Sequence, residues 1–338
     1  MTKQEKTGKI KRRAEYMGKK NIITKNYIRR PEIFADIFNY RLYGGKDRIQ
    51  PDQLKEMDIA ESLVTNQKGN GGRFGKAVTV EKYRDIKKIF QEGCYRCLIL
   101  GVEEQDKIHY AMPVRTFMYD AMAYHKQVDN IRKEHRKHKD YTGHSQEEFL
   151  SDFFKEDKII PVITVVLYFG EKPWDGPRSL KDMMGWKGEE AESYIQDYKM
   201  NLLIPSEMKD AEIETLQSSL REVFYFLKYA GDWKKLEKIL DKNERFRSLE
   251  KEAAVVISTL TNTEIKIKES EEKQDMCEAI EQMKQESMEM GLEKAESKII
   301  INMYRKGYNC MQITDITGVE EEKVREIIRT KEWETQNS

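Results

Sequence analysis

The apolar residues of this chain change rhythm several times. Ile33, Phe34, Ile37 and Phe38 recur at the spacing of an amphipathic helix. A Gly-rich stretch from Lys68 to Gly72 reads as a flexible loop. Two β-like runs follow, about Tyr83–Phe90 and Tyr95–Glu104, separated by Gln91-Glu92-Gly93, which predicts a hairpin. A helical pattern then occupies about Pro113–Lys139, and Pro161–Tyr168 is a Val, Ile and Leu run suited to a fully buried strand. Helix, hairpin, helix, buried strand predicts an α/β core. Beyond Pro205 the strand signals stop: 206–246 and 264–300 are charged, periodic and almost free of Pro and Gly, which predicts helices. Met276, Ile280, Met283 and Met290 have a partial heptad spacing, too short for a coiled coil.

Composition narrows the class. The 338 residues suggest about two domains. Charged residues make up 36 % of them, against a usual ~25 %, so long solvated helices must carry the surplus. No apolar run reaches the ~18 residues of a membrane span, and the amino terminus has no apolar signal core. Four cysteines, Cys94, Cys97, Cys277 and Cys310, make no disulfide framework at this length, which points to the cytoplasm. Sixty Lys and Arg balance sixty Asp and Glu. That zero hides a polarised chain: residues 1–30 hold eleven basic and two acidic residues, net +9, while Glu264–Lys298 has net −5. Residues 1–25 are expected to be a disordered basic arm, either simply solvated or in contact with phosphate.

The candidate chemistry lies on the hairpin. Its second strand ends in Glu103-Glu104-Gln105 at the rim of a buried sheet, and residues two apart share a face, so Glu103 and Gln105 project together. An antiparallel partner carrying Asp85 brings a second carboxylate beside Glu103. Two such groups repel unless a cation sits between them, and hard oxygen ligands suit Mg²⁺ or Mn²⁺. A metal so held activates water and neutralises charge developing on a phosphodiester. The plain alternative is strand-end carboxylates facing solvent.

Phe34-Ala35-Asp36-Ile37-Phe38-Asn39, Tyr83-Arg84-Asp85, Leu100-Gly101-Val102-Glu103-Glu104-Gln105 and Met112–Tyr119 occur in this order. With Pro161–Gly170 and Pro173-Trp174-Asp175-Gly176-Pro177 they resemble the Rpn/YhgA-like family, described as recombination-promoting nucleases or transposases, over about residues 30–205. The resemblance implies a PD-(D/E)XK restriction-endonuclease-like core, a mixed sheet flanked by helices, with Mg²⁺-dependent endonuclease activity on DNA. Carried over by position, Asp85 is the metal-binding Asp, Glu103 the acidic residue of the (D/E)XK step, and Gln105 stands where the wider superfamily more often has Lys. An amide can orient water or a phosphate oxygen by hydrogen bonding but supplies no charge. Asp36 is implied as an additional metal ligand.

Arg115 and Tyr119, four apart on one helix face, are candidates for phosphate contact, with Gln127 a weaker one; packing of that helix on the sheet is the alternative. Cys94-Tyr95-Arg96-Cys97 lacks the second pair that a zinc site needs, and His135 and His138 sit at a charged helix end that reads as a solvated face. In the tail, Gly307 and Gly318 end helices, Asn309 and Gln312 have capping-box spacing, and Val324, Ile327 and Ile328 form an apolar face. This resembles a helix-turn-helix, although its last helix opens with Glu320-Glu321-Glu322.

The domain plan is thus an arm at 1–25, a nuclease-like domain at 26–205, a charged all-helical region at 206–298 and a helix-turn-helix-like tail at 299–332. The expected function is metal-dependent DNA cleavage, with a role in promoting recombination implied by the family resemblance. The alternatives are a decayed nuclease fold acting as a DNA- or protein-binding accessory factor, and an adaptor that self-associates as a homo-oligomer through its helical C-terminal region.

Overall fold

A computed structural model of the protein describes residues 20–68, 74–93, 96–139, 141–185 and 193–336. Residues 20–29 form a first helix, α1. Ile23, Tyr27 and Ile28 fall at helical spacing, and the last two are buried in the main core. This corrects the expectation of a disordered arm for residues 20–25, where an apolar stripe gives the chain something to bury. Residues 1–19 lie outside the described residues. Helix α2 (Pro31–Tyr43) has Pro in its first turn, where a missing N–H costs nothing, and closes at Gly44 with φ 62°.

Strand β1 (Leu54–Glu56) precedes two hairpins. In the first, β2 (Ala60–Lys68) pairs antiparallel with β3 (Phe74–Tyr83) as a separate two-stranded sheet. The flexible loop expected at 68–72 therefore begins on a strand end, Lys68, and its residues 69–72 lie outside the described residues. The second is the anticipated hairpin, β4 (Ile86–Glu92) and β5 (Arg96–Gln105), turning at Gly93 with φ 65°. Its first strand starts at Ile86 rather than Tyr83 because Tyr83 completes β3 and Arg84-Asp85 carries the chain from one hairpin into the other.

Helix α3 (Met112–His138) and the short α4 (Gln146–Ser151) then lead to β6 (Val162–Tyr168), parallel to β5, and β7 (Asn201–Leu203) is parallel to β6. A parallel neighbour requires such a crossover. The result is a five-stranded mixed sheet in the order β1-β4-β5-β6-β7. Side chains alternate between its faces. Ile86, Leu100, Val102, Val165 and Leu167 face the main core, whereas Ile99 and Val162 meet Ala123 of α3 on the other side. Helices therefore flank the sheet.

The remaining chain is mainly helical: α5 (Asp210–Ile213), α6 (Leu220–Tyr229), α7 (Trp233–Lys242), α8 (Lys251–Thr261), α9 (Met276–Arg305), α10 (Cys310–Thr317) and α11 (Glu321–Gln336). One two-residue ladder, β8 (Leu249–Glu250) with β9 (Lys273–Gln274), interrupts it. Residues 264–275 are not part of α9, whose first turn is capped by the Asp275 carboxylate accepting from the N–H of Cys277 and Glu278. The apolar core crosses the boundary expected at 205–206: Leu220, Phe224, Ile257 and Met276 join the same cluster as the sheet, so the region up to about Ile280 packs with it. The tail has a small core of its own from Ile300, Ile313, Val319, Val324 and Ile328, with the Asn309–Gln312 capping box formed and Gly307 and Gly318 left-handed.

Candidate metal and phosphate site

The β4–β5 register pairs Ile86 with Val102, and one further step sets Asp85 across from Glu103. Two reciprocal bonds lock this end of the hairpin: Asp85 N–H donates to Glu103 Oε1 at 3.4 Å, and Glu104 N–H donates to Asp85 Oδ2 at 2.9 Å. Glu103 is fully buried. Burial and the nearby Asp85 charge push its carboxyl up to about 8, against the opposing pull of Arg115 and Arg84. Glu104 turns to the other face, and burial with Asp85 raises it to about 8 as well, opposed by Lys25 and the Thr24 hydroxyl. Its Oε2 is buried with no hydrogen bond among the described residues.

Cations approach from both sides of the sheet. From α3, Arg115 Nη2 lies 3.3 Å from Glu103 Oε2, and Arg115 Nε donates to the Tyr119 hydroxyl at 3.1 Å. From α1, Lys25 Nζ lies 2.6 Å from Asp85 Oδ1. Beneath the site the buried Arg84 reaches Asp120 through Nη2 at 2.9 Å and Thr164 through Nη1. Asp120 also accepts from Thr164 Oγ1 and from the Tyr198 hydroxyl, both at 2.6 Å. This network ties the residue before Asp85 to α3, β6 and the segment leading into β7, so Asp85 departs from a fixed point.

The residues singled out from sequence separate into three groups. Asp85, Glu103, Gln105 and Arg115 come together at one end of the sheet. Gln105 shares the Glu103 face, and its half-buried side chain carries no hydrogen bond among the described residues. Tyr119 is buried, accepts from Arg115 and donates to Tyr83 O at 3.1 Å, so it braces Arg115 rather than meeting a substrate. Asp36 is used elsewhere, a correction to the ligand role expected of it. Its carboxylate accepts from Gln217 N–H, Ser218 N–H and Ser218 Oγ ahead of α6. Three donors thus engage this carboxylate, and burial raises its acid against them. Gln127 clamps Ile160 through both its amide atoms, at 3.1 and 2.6 Å. His135 is no solvated histidine: it pairs with Asp157 at 2.9 Å and packs on Phe154.

Sequence reasoning missed Lys25, Glu104 and the Arg84–Asp120 network as parts of this site. The spacing of Ile23, Tyr27 and Ile28 was the available signal that Lys25 rides on an anchored helix. Nothing local announces that Asp120, Thr164 and Tyr198 converge on Arg84, because they meet only through the fold.

An oxygen-only donor set fits Mg²⁺ or Mn²⁺ in kind, and the orphaned Glu104 Oε2 is a further buried oxygen on the opposite face. These carboxylates are not drawn into a closed trio. The three donors whose ligand atoms lie within 4.8 Å of one another, among the described residues, are His144, Glu148 and Glu156. Glu148 there accepts from Ser145 N–H at 2.8 Å, which caps α4, and from Lys155 N–H at 2.9 Å beyond the helix. A cleft of about 500 Å³ lies past the end of β5, lined by Lys20, Lys107 and Lys172, by Asp106 and Glu171, and by Tyr110 and Tyr168. Among the described residues, no helix is long and apolar enough to cross a membrane.

No family model, curated protein or solved structure matches this chain.

Proposed function

We propose that this protein is a metal-dependent DNA endonuclease with a PD-(D/E)XK-type core, as its likeness to the Rpn/YhgA-like family suggests. The observation that carries the proposal is the opposition of Asp85 and Glu103 across the β4–β5 hairpin, with Gln105 on the Glu103 face. The carboxylates of Asp85 and Glu103 would hold Mg²⁺ or Mn²⁺. The bound metal supplies a more acidic water and neutralises charge on the scissile phosphate. Arg115 keeps Glu103 oriented, Gln105 donates its amide N–H groups to a phosphate oxygen or accepts from the attacking water, and Lys107 and Lys172 give the DNA backbone a cationic approach. A recombination role rests on the family likeness alone, and so does a cytoplasmic location on the cysteine usage. Self-association through the helical C-terminal region belongs to the same set of proposals, supported by exposed Leu292, Ile299 and Ile316.

One observation favours a second reading, a DNA-binding accessory factor with a decayed site. Asp85 and Glu103 already face cations of their own chain, Lys25 and Arg115. Supercoiled plasmid incubated with the purified protein in Mg²⁺ or in EDTA separates the two. Metal-dependent nicking supports the endonuclease; salt-sensitive DNA binding without nicking in Mg²⁺ or Mn²⁺ supports the accessory factor.

A further inference from the structure

Lys25 reaches the hairpin from outside the sheet. Its ammonium lies 2.6 Å from Asp85 Oδ1, and the two side chains are only 32 % and 12 % exposed. Exposed ion pairs between mobile side chains are weak and often incidental. This one is held by a helix that cannot drift. Thr24 is buried beside it, Tyr27 is buried with its hydroxyl 2.9 Å from Ser219 Oγ, and Ile28 is buried in the main core. Lys20, on the same helix, turns its ammonium to Leu260 O at 3.5 Å. Lys25 is the cation that α1 brings to Asp85.

The site needs such a charge. Gln105 is neutral, and Arg115 is committed to Glu103 and Tyr119. An ammonium has three N–H donors, of which Asp85 engages one, and the partial exposure of Lys25 leaves it open to a phosphate arriving from solvent.

We infer that Lys25 is a catalytic residue for the phosphodiester hydrolysis proposed above, and the inference rests on that reading: its ammonium donates to a non-bridging oxygen of the scissile phosphate while Asp85 fixes its position. In the reaction the water oxygen forms the new P–O bond and the ester P–O bond breaks. One water proton ends on the leaving oxygen and the other on the new monoester or in solvent. Lys25 keeps its proton and offsets the charge that gathers on the phosphate oxygens, the kind of fixed donor whose removal costs about 10²–10³-fold in rate.

The test compares full-length wild type with Lys25→Met and Lys25→Arg in two assays: Mg²⁺-dependent plasmid nicking, and Mn²⁺ affinity by calorimetry without DNA. The expected result is a loss of about 10²-fold or more in nicking by Lys25→Met, partial recovery in Lys25→Arg, and Mn²⁺ affinity equal to or above wild type, since a competing cation has left Asp85. Nicking by Lys25→Met at or above the wild-type rate overturns the inference and makes Lys25 a plug on the carboxylates. A joint loss of nicking, Mn²⁺ affinity and thermal stability also overturns it, in favour of a structural ion pair. A wild type that does not nick defeats the endonuclease reading itself and Lys25 with it, an outcome distinct from an active wild type whose Lys25→Met variant is unimpaired.

Discussion

The guanidinium of Arg84 passes against the backbone of Gly101: a Cβ at that position would lie 2.6 Å from Arg84 Nη1 and 3.3 Å from Thr164 Oγ1. The Leu100-Gly101-Val102 step is therefore a clearance for a buried cation. Arg84 is held by Asp120 and Thr164 and has nowhere to retreat. Gly101→Ala is expected to cost about 1–3 kcal/mol, the usual range for overpacking, as a lowered urea midpoint. An unchanged midpoint would mean that the guanidinium moves freely and the network is not rigid.

Asp36 gives the cleanest separation of fold from chemistry. The buried Asp36 carboxylate serves the N–H groups of Gln217 and Ser218, so Asp36→Ala removes these part-buried bonds and is expected to destabilise by about 1–3 kcal/mol. Nicking per folded molecule is expected to stay at the wild-type level. A fall of tenfold or more at full folding would restore Asp36 as a ligand.

The pH dependence of stability follows from Glu103 and Glu104, whose acids burial raises to about 8. Unfolded Glu titrates near ~4.3. Between those values the folded chain keeps protons that the unfolded chain has released. Stability from this source is complete below about 4.3 and is lost as pH rises through about 8. Chemical denaturation from pH 5 to pH 8 without metal is expected to show falling stability, and Glu103→Gln with Glu104→Gln to flatten the curve. Mg²⁺ replaces the missing positive charge, so its stabilisation should be larger at pH 8 than at pH 5. A stability that rises over this window would contradict the burial of both carboxyls.

Residues 1–19 carry seven Lys and Arg against two Glu, and they precede the anchored helix. Their deletion should leave the fold intact while weakening DNA binding and flattening its dependence on salt, because fewer counterions are released. Equal affinity and slope would exclude this segment from DNA contact. Cutting into 20–28 is a different experiment, since Tyr27 and Ile28 belong to the core.

Much of the fold was legible because its signals are local. The hairpin, the buried strand at Val162–Tyr168 and the Asn309–Gln312 cap follow from alternation, apolar runs and turn residues. Strands β2 and β3 were not. Their residues mix Glu, Lys, Asn and Gln with scattered Val, and the pair stands as a ladder apart from the main sheet. The opposition of Asp85 and Glu103 was readable from the hairpin. The cations were harder. Arg115 declared itself by lying four residues before Tyr119, whereas Lys25 looked like one more charge in a basic arm. Its role depends on α1 docking against Ser219 and the main core, contacts nearly two hundred positions away in sequence. Asp36 misled for the same reason: the backbone groups it caps lie at 217–218.

Asp85 and Glu103 are proposed to hold together the ion that cuts DNA. The most direct measurement is Mg²⁺-dependent nicking of supercoiled plasmid by wild type, Asp85→Asn and Glu103→Gln at matched folding. Nicking by wild type that falls by at least about 10²-fold in each variant, with Mn²⁺ affinity lost in parallel, is the predicted result. Undiminished nicking in both variants would contradict it.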